Sequence, residues 1–291
     1  MTNPFTVRML RKPSAALLSL VLGVCGAIAG EAAYAAPAQR NEILGVRLGM
    51  PSQAALQSLK SHQRPFHVIN TNSSVIKEVS PKEFVWQADL NDLVDASQMK
   101  GLDSVTLEFA MPPTASTVLR ISRNSCYNCR NDGKTASDAP SLKGLLQSIT
   151  EKFGPTPTSV TGRASSGHEI VGETDVYIWT TAGQLLSPED LRRRLRYPAQ
   201  CTRAPSLHNF FGGGTVNAPT EYQKNVENGC GTVARVSWQQ RGGIVTSFSI
   251  ELVDVAALVS SLSNTVAAAN KRSADMHQQE LQRADQNRPT L

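Results

Sequence analysis

Ile43-Leu44-Gly45-Val46-Arg47-Leu48-Gly49-Met50 reads as a short strand that stops at a glycine, and Pro51-Ser52 then opens a helix. Ala55, Leu56 and Leu59 recur on one face of that helix, and Pro65 bounds it. The second half of the chain starts the same way. Leu142, Leu145, Leu146 and Ile149 recur at three and four residues through Ser141 to Phe153, and Gly154-Pro155 ends the run with a glycine past the last turn and a proline beyond.

Between and after these helices the pattern is that of strands. In the first half they are Phe66 to Ile69, Glu83 to Asp89, Ser104 to Ala110 and Val118 to Arg123; in the second, Asp175 to Thr180, Thr232 to Gln239 and Ile244 to Val253. Arg241-Gly242-Gly243 joins the last two as a hairpin. A long final helix begins at Asp254 and turns Val255, Val259, Leu262 and Val266 inward, and its apolar face ends at Asn270. The fold class this order predicts is α+β: tandem helix-plus-antiparallel-sheet halves with a long C-terminal helix. The halves are 36–138 and 139–270, the second with an insertion at 181–231, and 271–291 is expected to be a frayed or disordered tail.

The strand-to-helix opening at 43–50, with Lys152-Phe153-Gly154-Pro155 before a Trp-bearing strand, resembles a family of exported bacterial proteins of unknown function. It is also similar to the repeats of β-barrel-assembly accessory lipoproteins and of secreted β-lactamase inhibitor proteins. That resemblance implies a small binding module and names no catalytic residue.

Residues 1–35 carry the three parts of a signal peptide: Arg8, Arg11 and Lys12, an apolar run from Ala15 to Ala29, and Ala33-Tyr34-Ala35 at the cleavage position. Cys25 follows Val24, where lipid attachment requires a small residue, so lipidation is not expected. No later run is long enough to span a bilayer. The expected location is periplasmic or secreted.

The chain of 291 residues is 40% apolar and 18% charged, which fits one or two globular domains and excludes a disordered polyelectrolyte. Its 29 basic residues exceed 24 acidic ones, but cleavage removes three basic groups against Glu31, and so slight an excess is too weak a field to imply nucleic acid, so no nucleic-acid partner is expected.

Four cysteines survive cleavage: Cys126, Cys129, Cys201 and Cys230. An even number in an oxidising compartment reads as disulfides, with three pairings open. The favoured one joins Cys126 to Cys129 across a turn and Cys201 to Cys230 around the irregular insertion. A CxxC also admits thiol-redox work or metal binding, but Arg130-Asn131-Asp132-Gly133 follows it instead of a helix that would lower the thiol pKa. No second closely spaced ligand pair completes a zinc site, so no metal is expected.

Other chemistry is thinly marked. The five histidines form no HExxH and no i, i+4 pair, and His168 sits in a Ser- and Gly-rich loop. Ser74-Val75-Ile76-Lys77 fits SxxK without its companion motifs, and GxSxG is missing. Gly212-Gly213-Gly214-Thr215 lacks the lysine of a phosphate loop, and Asp89, Asp92 and Asp95 have helical rather than calcium-loop spacing. No catalytic residue and no cofactor are assigned.

Ser187-Pro188-Glu189-Asp190-Leu191-Arg192-Arg193-Arg194-Leu195-Arg196 is the sharpest local signal. Ser187 and Asp190 have the spacing of a capping box, and Glu189 with Arg193 and Asp190 with Arg194 are i, i+4 ion pairs. Arg192 and Arg196 are left to grip a carboxylate or phosphate of an envelope protein or anionic envelope polymer. Trp86, Trp179 and Trp238 each fall on a strand, as core residues rather than stacking platforms. The function expected is a non-catalytic macromolecule-binding module of the cell envelope, with an envelope hydrolase or a thiol-redox helper as alternatives.

Overall fold

A computed structural model describes residues 40–62, 66–73, 82–88, 102–127, 139–166, 170–194, 201 and 220–287. The elements are β1 (Glu42–Ile43), β2 (Val46–Arg47), α1 (Ser52–Lys60), β3 (Phe66–Ser73), β4 (Lys82–Ala88), β5 (Leu102–Phe109) and β6 (Val118–Cys126). The second half supplies α2 (Leu142–Phe153), β7 (Ser159–Ser166), β8 (Ile170–Thr180), α3 (Pro188–Arg194), α4 (Thr220–Glu227), β9 (Cys230–Arg241), β10 (Ile244–Asp254) and α5 (Val255–Gln286).

The predicted α+β class holds, with antiparallel strands and a long C-terminal helix. The two meanders fuse into one eight-stranded sheet, ordered β3-β4-β5-β6-β10-β9-β8-β7. The last strand of each half is the junction, where Arg123 pairs with Ile250.

The halves repeat each other in backbone detail that their side chains hide. In the first, Val118 donates its N–H to Met50 O (2.9 Å), Ser52 donates to Ser116 O (3.0 Å), and Pro51 bridges Thr117. In the second, Val245 donates to Pro140 O (3.0 Å), Leu142 donates to Gly243 O (2.8 Å), and Ser141 bridges Ile244. The same clamp therefore ties the start of each helix to the start of each last strand. A bulge follows one residue later in both: Leu119 is the extra residue of β6 against β5, and Thr246 that of β10 against β9. Counting along the strands from Val118 and Val245, Arg123 and Ile250 are equivalents, and they are paired with each other. A pseudo-twofold axis runs between them.

One face of the sheet is covered by both helices. Ala55 and Leu59 of α1 and Leu145, Ile149 and Phe153 of α2 pack in one cluster with Val105, Leu107, Ile121, Val236, Trp238 and Leu252. Phe153, Tyr177 and Trp179 form an aromatic group with centroids 5.4 to 6.2 Å apart. Trp179 and Trp238 are buried, as core residues should be, while the Trp86 side chain lies outside what is described.

Among the described residues, the other face is covered at one end, by α5. Val255, Leu258, Val259 and Leu262 pack there on Leu119, Val176, Ile178, Val233 and Val253. Asp254 caps the helix by accepting from Ala257 N at 2.9 Å. Ser261 accepts from Met111 N (3.1 Å), and Thr265 donates to Pro112 O (2.8 Å), fixing α5 to the β5–β6 connection.

Two local expectations need correction. Residues 43–50 do not form one strand: Leu44 (φ 52°) and Gly45 (φ 80°) both have positive φ, the pattern of a type I′ turn, and fold the segment into the β1–β2 hairpin. Residues 271–286 are not frayed: α5 runs to Gln286, exposed throughout this stretch. Its Ala, Gln, Glu, Arg, Met and Leu are strong helix formers, so helix persists after the apolar face ends.

Candidate functional site

Residues directly opposite on neighbouring strands share a face, so the register fixes what the uncovered half of the sheet presents. Ser104, Asn124, Ser249, Ser237 and Thr174 form one row across β5, β6, β10, β9 and β8. Leu102, Cys126, Ser247, Gln239 and Gly172 form the next. Five adjacent strands at about 4.8 Å spacing make this strip roughly 19 Å long. It lines an open cavity of about 420 Å³.

The alternating residues explain why this strip is polar. Phe248, Ile250 and Leu252 of β10 and Trp238 of β9 face the helix-covered core, which leaves Ser247, Ser249, Ser237 and Gln239 on the reverse. Phe248 is held by the Tyr127 ring (6.2 Å) and by the Arg123 guanidinium (5.4 Å). Arg123 is itself bound to Asp103 at 2.7 and 3.0 Å. Within the strip, Thr174 and Ser237 share a hydrogen bond (2.9 Å), and Ser247 donates to Gln239 Oε1 (3.4 Å). Asn124 and Gln239 are exposed.

The pseudo-twofold axis relates this strip to a charged cluster at the α5 end. Bulge and register make Arg120 the equivalent of Ser247, Glu108 of Gln239, Glu251 of Asn124, and Arg235 of Ser104. Arg120 donates to Glu108 Oε1 (3.0 Å) and Glu251 Oε1 (2.7 Å). Burial works against its charge, but the two carboxylates prevail and raise its pKa. Where one half carries two acids gripping an arginine, the other carries two amides and a serine. The long side chain has no counterpart, and the cavity takes its place.

The expected binding helix is formed as the sequence implies. Asp190 N donates to Ser187 Oγ (3.1 Å) and Ser187 N to Asp190 Oδ2 (3.3 Å), a complete capping box, and Glu189 pairs with Arg193. Arg192 is exposed and turns its Nε to Pro188 O (3.3 Å). Arg196 lies outside the described residues, as do His168, His208, the Gly212 to Gly214 run, Ser74 with Lys77, and Asp89, Asp92 and Asp95.

The Cys201–Cys230 disulfide is present, both residues fully buried. Cys126 is also disulfide-bonded and sits in the strip, while Cys129 lies outside the described residues. Among the described residues no group of three or more His, Cys, Asp or Glu is placed to hold a metal, and no helix is long and apolar enough to cross a membrane.

Sequence reading alone misses the strip. Its signal is there, as Ser247-Phe248-Ser249-Ile250 and Ser237-Trp238-Gln239, but only the β6–β10 junction brings the two halves' polar positions into one row. The chain matches no family model, no curated protein and no solved structure, so its role has to be read from its own geometry.

Proposed function

We propose that the protein is an exported, non-catalytic module that binds a cell-envelope macromolecule across the uncovered half of its sheet. The observation that carries this reading is the strip itself: nine hydrogen-bonding or small positions on five consecutive strands, with no described element packed over them. A rigid antiparallel sheet holds those groups in fixed register, which lowers the ordering cost of binding. The signal-like segment at 1–35 and the buried Cys201–Cys230 bond support maturation in an oxidising compartment.

The test is site-specific photo-crosslinking in intact cells. A photoreactive residue at Asn124 is expected to give a discrete adduct with one envelope component, and the same residue at exposed Lys60 of α1, against the other face, is expected to give none. Identical adducts from both positions, or none from Asn124, would remove the strip as the binding surface.

A further inference from the structure

At the α5 end, a guanidinium is held between Glu108 and Glu251; at the open end, Gln239 and Asn124 stand in those places and the short Ser247 stands where Arg120 does. Carboxylates only accept hydrogen bonds, whereas amides both donate and accept. A cationic ligand would find no carboxylate at these positions. An anionic one would find no cation at the described positions of the two rows, where the place of Arg235 is taken by Ser104.

Glu173 also borders the cavity, but its register partner is Trp238, on the helix-covered face, so the positions that the two rows present fit an occupant that is neutral and carries both donors and acceptors. Hydroxyls at Ser104, Ser249, Ser237 and Thr174 extend the same chemistry along the row. The cavity of about 420 Å³ falls in the range of small-molecule sites, about 300–1,000 Å³. A protein partner would need aromatic or aliphatic anchors at the centre of its interface. The two rows supply none at their centre: Leu102, at the β5 end, is their one aliphatic position, and Trp238 and Phe248 border the cavity but pack in the core cluster.

Resting on the function proposed above, we infer that the space between Ser247, Gln239 and Asn124 receives the acetamido group of an N-acetylated amino-sugar, with neighbouring sugar hydroxyls on the serine row. The acetamido plane offers one N–H and one C=O, and it suits a pair of amides where a guanidinium suits a pair of carboxylates.

The probe is N,N′-diacetylchitobiose, titrated into the oxidised chain from Ala36 while backbone amide signals are followed by NMR. Signals of Asn124, Gln239, Ser247 and Ser249 are expected to shift, with cellobiose, which lacks the acetamido groups, at least about tenfold weaker. Asn124→Asp, an exposed conservative change, is expected to weaken diacetylchitobiose about tenfold. The triple variant Ser247→Arg, Gln239→Glu, Asn124→Glu rebuilds the charged cluster in the open half and is expected to abolish binding while the melting temperature is kept. Equal affinity for cellobiose, unmoved strip signals, or full binding by Asn124→Asp would overturn the inference. If the strip signals stay unmoved while Asn124 still crosslinks in cells, the ligand class falls and the binding surface stands.

Discussion

Arg120 of β6 donates to Glu251 of β10 at 2.7 Å, so an ion pair crosses the junction between the two halves. The same guanidinium reaches Glu108 at 3.0 Å, and both acids are largely shielded. Removing the cation would take from both largely shielded carboxylates the guanidinium that they share.

Arg120→Met is accordingly expected to destabilise the chain by about 3–5 kcal/mol in urea unfolding. Adding Glu108→Gln and Glu251→Gln to it should recover most of that loss, because the penalty comes from uncompensated charge. A triple variant no more stable than Arg120→Met would show that the site is held by packing alone.

Asp254 gives a pH-dependent prediction. Burial raises its pKa above 3.8, against the opposing effect of hydrogen bonds from Ala257 and Ala256. A carboxyl whose pKa is raised on folding contributes most below its unfolded value. That contribution is lost as pH rises from about 3.8 through the folded value. Asp254→Asn keeps a capping oxygen and cannot ionise, so it should gain on the parent over that rise and level off above it. Asp254→Ala loses the cap and should cost about 1 kcal/mol throughout. Paired unfolding curves from pH 3 upward measure both.

Gly231 lies where the chain after β8 passes β9. A Cβ there would come within 2.6 Å of the Thr180 carbonyl carbon and the Thr181 nitrogen, both backbone atoms that cannot rotate away. Gly231→Ala should cost about 1–3 kcal/mol. A thermal midpoint equal to the parent's would contradict this close approach.

The Cys201–Cys230 bond closes a span of 29 residues. Replacing both cysteines by serine is expected to lower stability by roughly 3–4 kcal/mol on the loop-entropy model. The melting point of the untreated parent should fall with reductant, and that of the double variant should not respond to cleavage of this bond.

What could be read in the sequence follows from how each element is stabilised. α1, α2 and the first turns of α5 announce themselves because Ala55, Leu59, Leu145, Ile149 and Leu258 bury a stripe. The end of α5 is invisible to that criterion, since only intrinsic propensity carries it. β7 is missed because Ser159-Val160-Thr161-Gly162-Arg163-Ala164 has no alternation, as befits an edge strand with a single neighbour. α4 escapes for want of a clear apolar stripe. The candidate site is a matter of register: Asn124 and Ser249 are far apart in the chain, and only strand pairing makes them neighbours.

The central position of β6 and β10 has a consequence for synthesis. A chain emerging from its N-terminus completes the first meander with β6 as a bare edge, its hydrogen-bonding groups waiting on the eleven residues of β10. The nascent protein thus carries an open seam from the completion of β6 at Cys126 until β10 is made at Ile244–Asp254. During that interval two half-made copies could each zip onto the other's seam.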